Sequence, residues 1–241
     1  MILECDIGNT CCKWRLLDRA STIVSGGSFA HEEGFAGLPS LGRIERIRVA
    51  SVAKNVVVEQ FLAKVGESGI EPEFAISSKS AAGVTNAYGE DAVKLGIDRW
   101  LAVVAAYNRQ RGAVLVIDVG TALKADLVAA DGRHLGGYIV PGTDLMKSSL
   151  KSATAKVRFS EKNYVSGVVF GRCTTDAVHA GVLASQVGAI TVAISEAKRQ
   201  MLGGFAILLT GGGASNIAAY LETEVVGVPD LVLDGLGWLL P

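Results

Sequence analysis

The chain carries one device twice. It reads Asp6-Ile7-Gly8-Asn9-Thr10 near its start and Asp118-Val119-Gly120-Thr121-Ala122 about halfway along, each at the end of an apolar run. Each copy sets a carboxylate and then a glycine turn at the exit of a strand. Glycine permits a tight turn, and such a turn can present successive backbone N–H groups as a small anion nest. Two such loops facing each other can bracket a polyphosphate and its metal ion, so the repeat constrains the chain to two related halves.

The pattern around the two copies agrees. Residues 1–5 and 11–17 read as a hairpin, 20–30 as its continuation and 48–52 as a further strand. Positions 57, 58, 61, 62 and 65 have helical spacing, 72–77 resembles a strand, and 89–107 reads as one helix. The pattern then restarts with the fully apolar strand 113–117, the strand 123–129, a hairpin turn at Asp131-Gly132 and a returning strand 135–140. Helices over 143–153 and 174–200, a loop over 154–167, a strand 205–209, a short helix near 215–221, a strand 225–228 and a closing helix 230–240 complete the second half. The expected fold is therefore α/β, with two lobes of mixed sheet, 1–111 and 112–241, and a cleft between them.

Composition narrows the chemistry. A formal net charge of −1 gives no basic field for a nucleic-acid backbone, so bound phosphate must be caught by local geometry. No uninterrupted apolar run reaches the length of a membrane span, and the N-terminal residues lack the pattern of a signal peptide. Cys5, Cys11, Cys12 and Cys173 form no CxxC pair, which argues against structural zinc and suits a reduced, cytoplasmic setting. His31, His134 and His179 share no useful spacing, and His134 beside the turn reads as a surface residue.

Several segments can carry chemistry. In the first loop Asn9 and Thr10 add side-chain donors, Lys13 on the returning strand supplies a positive charge, and Asp6 suits a divalent ion held through water. In the second, Asp118 can bind a cation and Thr121 can touch a phosphate, while Asp126 reads as the polar face of a hairpin. Thr210-Gly211-Gly212-Gly213 is either a bare approach for an adenine or ribose or a tight strand-to-helix turn. In Gly96-Ile97-Asp98-Arg99-Trp100 an acid and a base interrupt an apolar helix. Either they form an internal salt bridge, or Asp98 accepts a proton from a hydroxyl while Arg99 clamps an acidic substrate. Tyr88 could orient a ligand, Thr174 reads as a helix N-cap, and Lys147 and Lys151 read as a solvated face. P-loop, dinucleotide-loop and nucleophile-elbow motifs are lacking.

Taken together, DIGNTCCKW (6–14), NAYG (86–89), GIDRW (96–100), DVGTA (118–122), GGYIVPG (136–142) and TGGG (210–213) resemble, in order, the motifs of the type III pantothenate kinases, also called the Bvg accessory factor family. The resemblance implies a duplicated ribonuclease H-like fold of the actin-like ATPase and sugar kinase superfamily. It implies ATP-dependent phosphorylation of pantothenate to 4'-phosphopantothenate, the first step of coenzyme A synthesis, by a homodimer; the cytoplasmic setting and the expectation of no nucleic acid and no membrane partner rest on the composition above. By the same resemblance Asp98 is the base. Asp6, Ile7, Gly8, Asn9, Thr10, Cys11, Cys12 and Lys13, with Thr121, Gly211 and Gly212, meet ATP. Tyr88, Gly96, Ile97, Asp98, Arg99 and Thr174 surround pantothenate, magnesium sits near Asp6, and Asp118 holds a monovalent cation, potassium or ammonium.

One position departs from the pattern. Where the family places a threonine after the second loop, this chain has Lys124. That lysine either lowers the need for a monovalent ion or points outward. Rival readings are another small-alcohol kinase of the superfamily, a non-catalytic regulator, and an actin-like or chaperone-like ATPase. Against the first, GIDR with Tyr88 suits a short carboxylate-bearing alcohol better than a hexose; against the second and third stand the retained Asp6, Lys13, Asp98, Arg99 and Asp118 and the chain length.

Overall fold

The computed structural model describes residues 1–241, which form two compact units. In the first, β1 (Ile2–Ile7), β2 (Cys11–Leu17) and β3 (Ile23–Ala30) make an antiparallel meander. On the other side of β1, β4 (Arg46–Ser51) and β5 (Glu73–Phe74) add in parallel, giving the order β3-β2-β1-β4-β5. Helix α1 (Asn55–Gly66) joins β4 to β5, a small hairpin of β6 (Ser80–Ala81) and β7 (Val84–Thr85) follows, and α2 (Ile97–Gln110) ends the run.

The second unit repeats this topology. Its strands are β8 (Val114–Val119), β9 (Ala122–Val128), β10 (His134–Pro141), β11 (Ala206–Thr210) and β12 (Val226–Gly227), in the order β10-β9-β8-β11-β12. Its helices are α3 (Thr143–Ala153), α4 (Thr174–Gln200) and α5 (Ala214–Ala218). The last helix, α6 (Leu231–Leu239), belongs to the first unit, as do residues 131–134. The expected division at 111/112 assigned both segments to the second half. Residues 131–134 cross because Thr85 N–H donates to the Gly132 carbonyl at 2.9 Å.

Strand alternation decides which residues meet. On β1 the odd positions Leu3, Cys5 and Ile7 are buried with Phe29, Ile47, Val49 and Phe61 in one core. The even positions Glu4 and Asp6 therefore share the opposite face. Glu4 is wholly buried and has an arginine directly across the ladder on each side, Arg15 on β2 and Arg48 on β4. Its carboxylate accepts from both, at 2.7 and 3.0 Å, and Arg15 continues to Asp234 of α6 at 2.6 Å. Burial alone would push the Arg15 guanidinium down, but Asp234 and Glu4 outweigh it and hold it up. This chain of charges fastens α6 to the first sheet.

In the second unit Leu115, Ile117 and Val119 of β8 pack with Leu123, Ala125 and Leu127 of β9 against Ile190, Ala193, Ile194 and Ala197 of α4. By length and composition α4 could cross a membrane, yet this stripe is part of the core. Residues 89–107 are not one helix. A 3₁₀ segment, Gly89–Lys94, ends at an extended Leu95 and Gly96, so α2 begins at Ile97. The strand expected at 72–77 is confined to Glu73–Phe74.

Replacing Glu4 by alanine strands the buried Arg48 guanidinium and leaves Arg15 with Asp234 alone, and a loss of about 3–5 kcal/mol is expected. Urea denaturation of the variant measures it, and an unchanged midpoint at unchanged slope contradicts this account of the fold.

Candidate active site

The two Asp-Gly hairpins share a ladder position for their charges. Asp6 on β1 faces Lys13 on β2, and Asp118 on β8 faces Lys124 on β9, each as direct cross-strand partners. Directly opposed residues point to one face of a sheet, so in each hairpin the lysine stands on the same face as the carboxylate.

In the first loop Gly8 N–H donates to the Cys11 carbonyl at 3.0 Å and closes the turn. Asn9, Thr10 and Cys11 are exposed at its tip. Ile7 and Cys12, grouped with them in the expected nucleotide site, are wholly buried, so only their backbone can serve a ligand. Lys13 lies 3.3 Å from Asp230 at the foot of α6. His31 braces the turn from outside: Nε2 donates to the Gly8 carbonyl at 2.8 Å, and its own N–H donates to the Thr10 carbonyl at 3.1 Å. Neither His31 nor Asp230 was picked out from the sequence. Both lie far along the chain from the loop, and no local pattern marks them.

The second loop is more enclosed. Lys124 Nζ lies 2.7 Å from Asp118 Oδ2, with the two side chains 17% and 16% exposed. The TGGG turn packs on the other side, where Gly213 N–H donates to the Val119 carbonyl at 2.9 Å. At Gly211, with φ +91°, a Cβ would fall 2.5 Å from both Asp118 Oδ1 and the Val119 carbonyl. Gly211 is therefore a packing requirement of the Asp118 loop. Gly212, beside it, is exposed with open space around it. Thr121 is exposed, and Asp126 is buried against Gly137.

Asp98 sits in the first turn of α2, where a negative charge is favoured by the helix dipole, and its Oδ1 accepts from Arg99 N–H at 2.8 Å. A Cβ at Gly96 would fall 2.8 Å from that oxygen, so glycine here leaves room for the carboxylate. Arg99 is 6% exposed and donates to the Tyr88 hydroxyl at 3.1 Å. Tyr88, Gly96, Asp98 and Arg99 thus form one constellation, with Ile97 turned into the core.

Thr174 lies apart from them in sequence and unit, on α4 of the second. It is not the N-cap: Cys173 is, its Sγ accepting from Asp176 N–H at 3.5 Å. Thr174 lines an open groove of about 880 Å³ with Gly171, Arg172, Ala177 and Ser185. Lys147 and Lys151, read as a solvated face, both bind Glu161, and with Lys151 first they hold its carboxyl down to about 2. His134 is buried, not at the surface, and its Nδ1 accepts from Ala87 N–H at 3.4 Å.

The sequence profile of the type III pantothenate kinases matches residues 2–196. The chain belongs to the type III pantothenate kinase family. A type III pantothenate kinase of Pseudomonas putida KT2440 is 37% identical over 250 residues, covering 100% of this chain and 99% of the relative. Among solved structures, a Campylobacter jejuni protein described as a Baf family transcriptional activator matches with TM-score 0.60 at 21% identity, over 99% of this chain and 96% of that one. A Sinorhizobium meliloti protein described as a 2-dehydro-3-deoxygalactonokinase matches with TM-score 0.57 at 14% identity, over 98% and 97%. At such identities these likenesses speak for the fold alone, and they bear out the duplicated α/β fold of two mixed sheets with helices.

The cysteines of this type III pantothenate kinase give its first loop a thiol signature. All four cysteines are free, Cys11 and Cys173 exposed, Cys5 and Cys12 buried. Burial, then Asp6, raises the Cys11 thiol and slows its reaction with a thiol reagent, while Cys11 and Cys173 remain the accessible pair. Titration of the native protein is expected to modify these two before Cys5 and Cys12, and ATP with magnesium to protect Cys11 alone. Mass mapping of the modified cysteines, with and without nucleotide, checks both points.

Proposed function

We propose that this chain transfers the γ-phosphoryl group of ATP to the primary hydroxyl of pantothenate, with Asp98 as the general base. As a type III pantothenate kinase it is an ATP-dependent phosphotransferase acting on pantothenate. The observation that carries the residue assignment is the constellation at the start of α2. Asp98 is fixed by Arg99 N–H, and the buried Arg99 is braced by Tyr88.

In this reading Asp98 orients the hydroxyl and takes its proton as the oxygen attacks phosphorus in line. Arg99, with a planar fork of donors, orients the acceptor together with Tyr88. The backbone of residues 8–11, with Asn9, Thr10 and Lys13, holds the ATP phosphates. Thr121 and Gly212 complete the nucleotide contacts, and Gly211 acts by letting its loop close on Asp118.

ATP with divalent and monovalent cations is typical of the family. The side chain of Asp6 fits magnesium, whose usual ligands are one or two carboxylates with phosphate oxygens and water. Such an ion, when bound, neutralises charge on the phosphoryl oxygens.

The chain is further read as a homodimer. Tyr164, Val165, Val168, Val169 and Phe170 stand exposed, close in sequence to the Thr174 groove, an apolar patch that a second copy would cover. The free thiols support a cytoplasmic setting.

The test is an assay with pantothenate, ATP and magnesium, run on the wild type and on Asp98→Asn. Product is expected from the wild type, and a fall in kcat of about 10²–10⁴-fold in the variant, with ATP affinity little changed. Near-normal kcat in a folded variant removes Asp98 as the base.

A further inference from the structure

The Asp118 carboxylate already has a cation. Register places Lys124 directly across the ladder, its Nζ 2.7 Å from Oδ2, and both side chains are more than four-fifths buried. The other oxygen, Oδ1, is closed in by Gly211. An ion held by this carboxylate would have to share its Oδ2 side with an ammonium group in contact, or displace it. Two like charges on one carboxylate repel, so the residues present do not fit a separate potassium ion at Asp118.

A lysine ammonium carries the same single charge as potassium or ammonium, and three N–H donors where the ammonium ion has four. Tethered on the neighbouring strand, it is delivered by folding and needs no binding equilibrium. We propose that Lys124 is the built-in monovalent cation of this protein, and that its activity needs neither potassium nor ammonium. The activity readout rests on the pantothenate kinase reading; the occupancy of Asp118 does not.

The experiment measures phosphorylation by the full chain in chlorides of potassium, ammonium, sodium and tetramethylammonium, at constant magnesium and ionic strength. Wild-type rates are expected to agree within about threefold across the salts. Lys124→Thr is expected to lose about tenfold or more in sodium and tetramethylammonium and to recover in potassium or ammonium. Thallium(I) NMR supplies a readout without turnover. The wild type is expected to show no saturable site, Lys124→Thr to show one, and the added change Asp118→Asn to abolish it.

Potassium or ammonium activation of the wild type beyond that range overturns the proposal. So does a saturable thallium site in the wild type that Asp118→Asn removes, and so does a folded Lys124→Thr protein indifferent to all four salts. If Lys124→Thr fails to fold, the wild-type salt series and thallium titration decide. Should no salt support phosphorylation of pantothenate, the kinase reading fails, and the thallium measurement still decides the occupancy of Asp118.

Discussion

Strand β1 lies in the middle of its sheet and carries two carboxylates on one face, Glu4 and Asp6, with core residues on the other. A buried carboxylate is tolerated only when it is paired, and on a central strand the partner must come from a neighbouring strand. The ladder meets this requirement twice for Glu4, through Arg15 and Arg48, and sets Lys13 across from Asp6. Other features of the first unit depend on that pairing. Arg15 reaches on to Asp234 and Lys13 to Asp230, so one face of the sheet is closed by α6. The structural charges and the charges proposed to meet phosphate are successive members of one row.

The second unit uses the same row differently. Asp118 is the only carboxylate of β8, and Val114 and Val116 occupy the positions before it on its face. Across from Val116 stands the buried Asp126 of β9 instead of an arginine, so the row holds Asp118, Lys124 and Asp126, and the glycine turn after β11 replaces a helix as its cover. The substitution of backbone for side chain at Gly211 is what lets the carboxylate be enclosed so closely.

Most of the strands and helices could be read from periodicity, because alternation and helical spacing record burial directly. The site motifs were legible for the same local reason: a carboxylate, a glycine and a strand end lie within a few residues. What escaped is long-range. Nothing near residue 230 says that α6 returns to the first unit, since the decision rests on Arg15 and Lys13 at the other end of the chain. His31 is tied to Gly8 across 23 positions, and His134 is buried because a backbone N–H from residue 87 meets it. The break at Leu95–Gly96 was missed because the apolar spacing runs through it, although Gly96 itself was the signal. The direction of Lys124 could have been counted out, since a hairpin centred on residue 121 sets 118 against 124.

That count explains why two loops of one design reach different ends. In each, an aspartate closes a central strand and a lysine begins the return. In the first, Asp230 draws the lysine toward α6, while the loop tip stays open with Asn9 and Thr10 exposed. A site of that kind can take and release a phosphate with its metal on every turnover. In the second, lysine and aspartate are in contact and four-fifths hidden, and the glycine turn seals the other side. A charge placed there by the fold itself does not exchange. On the proposed reading, the repeat separates a charge that must come and go with the nucleotide from one that has only to be present.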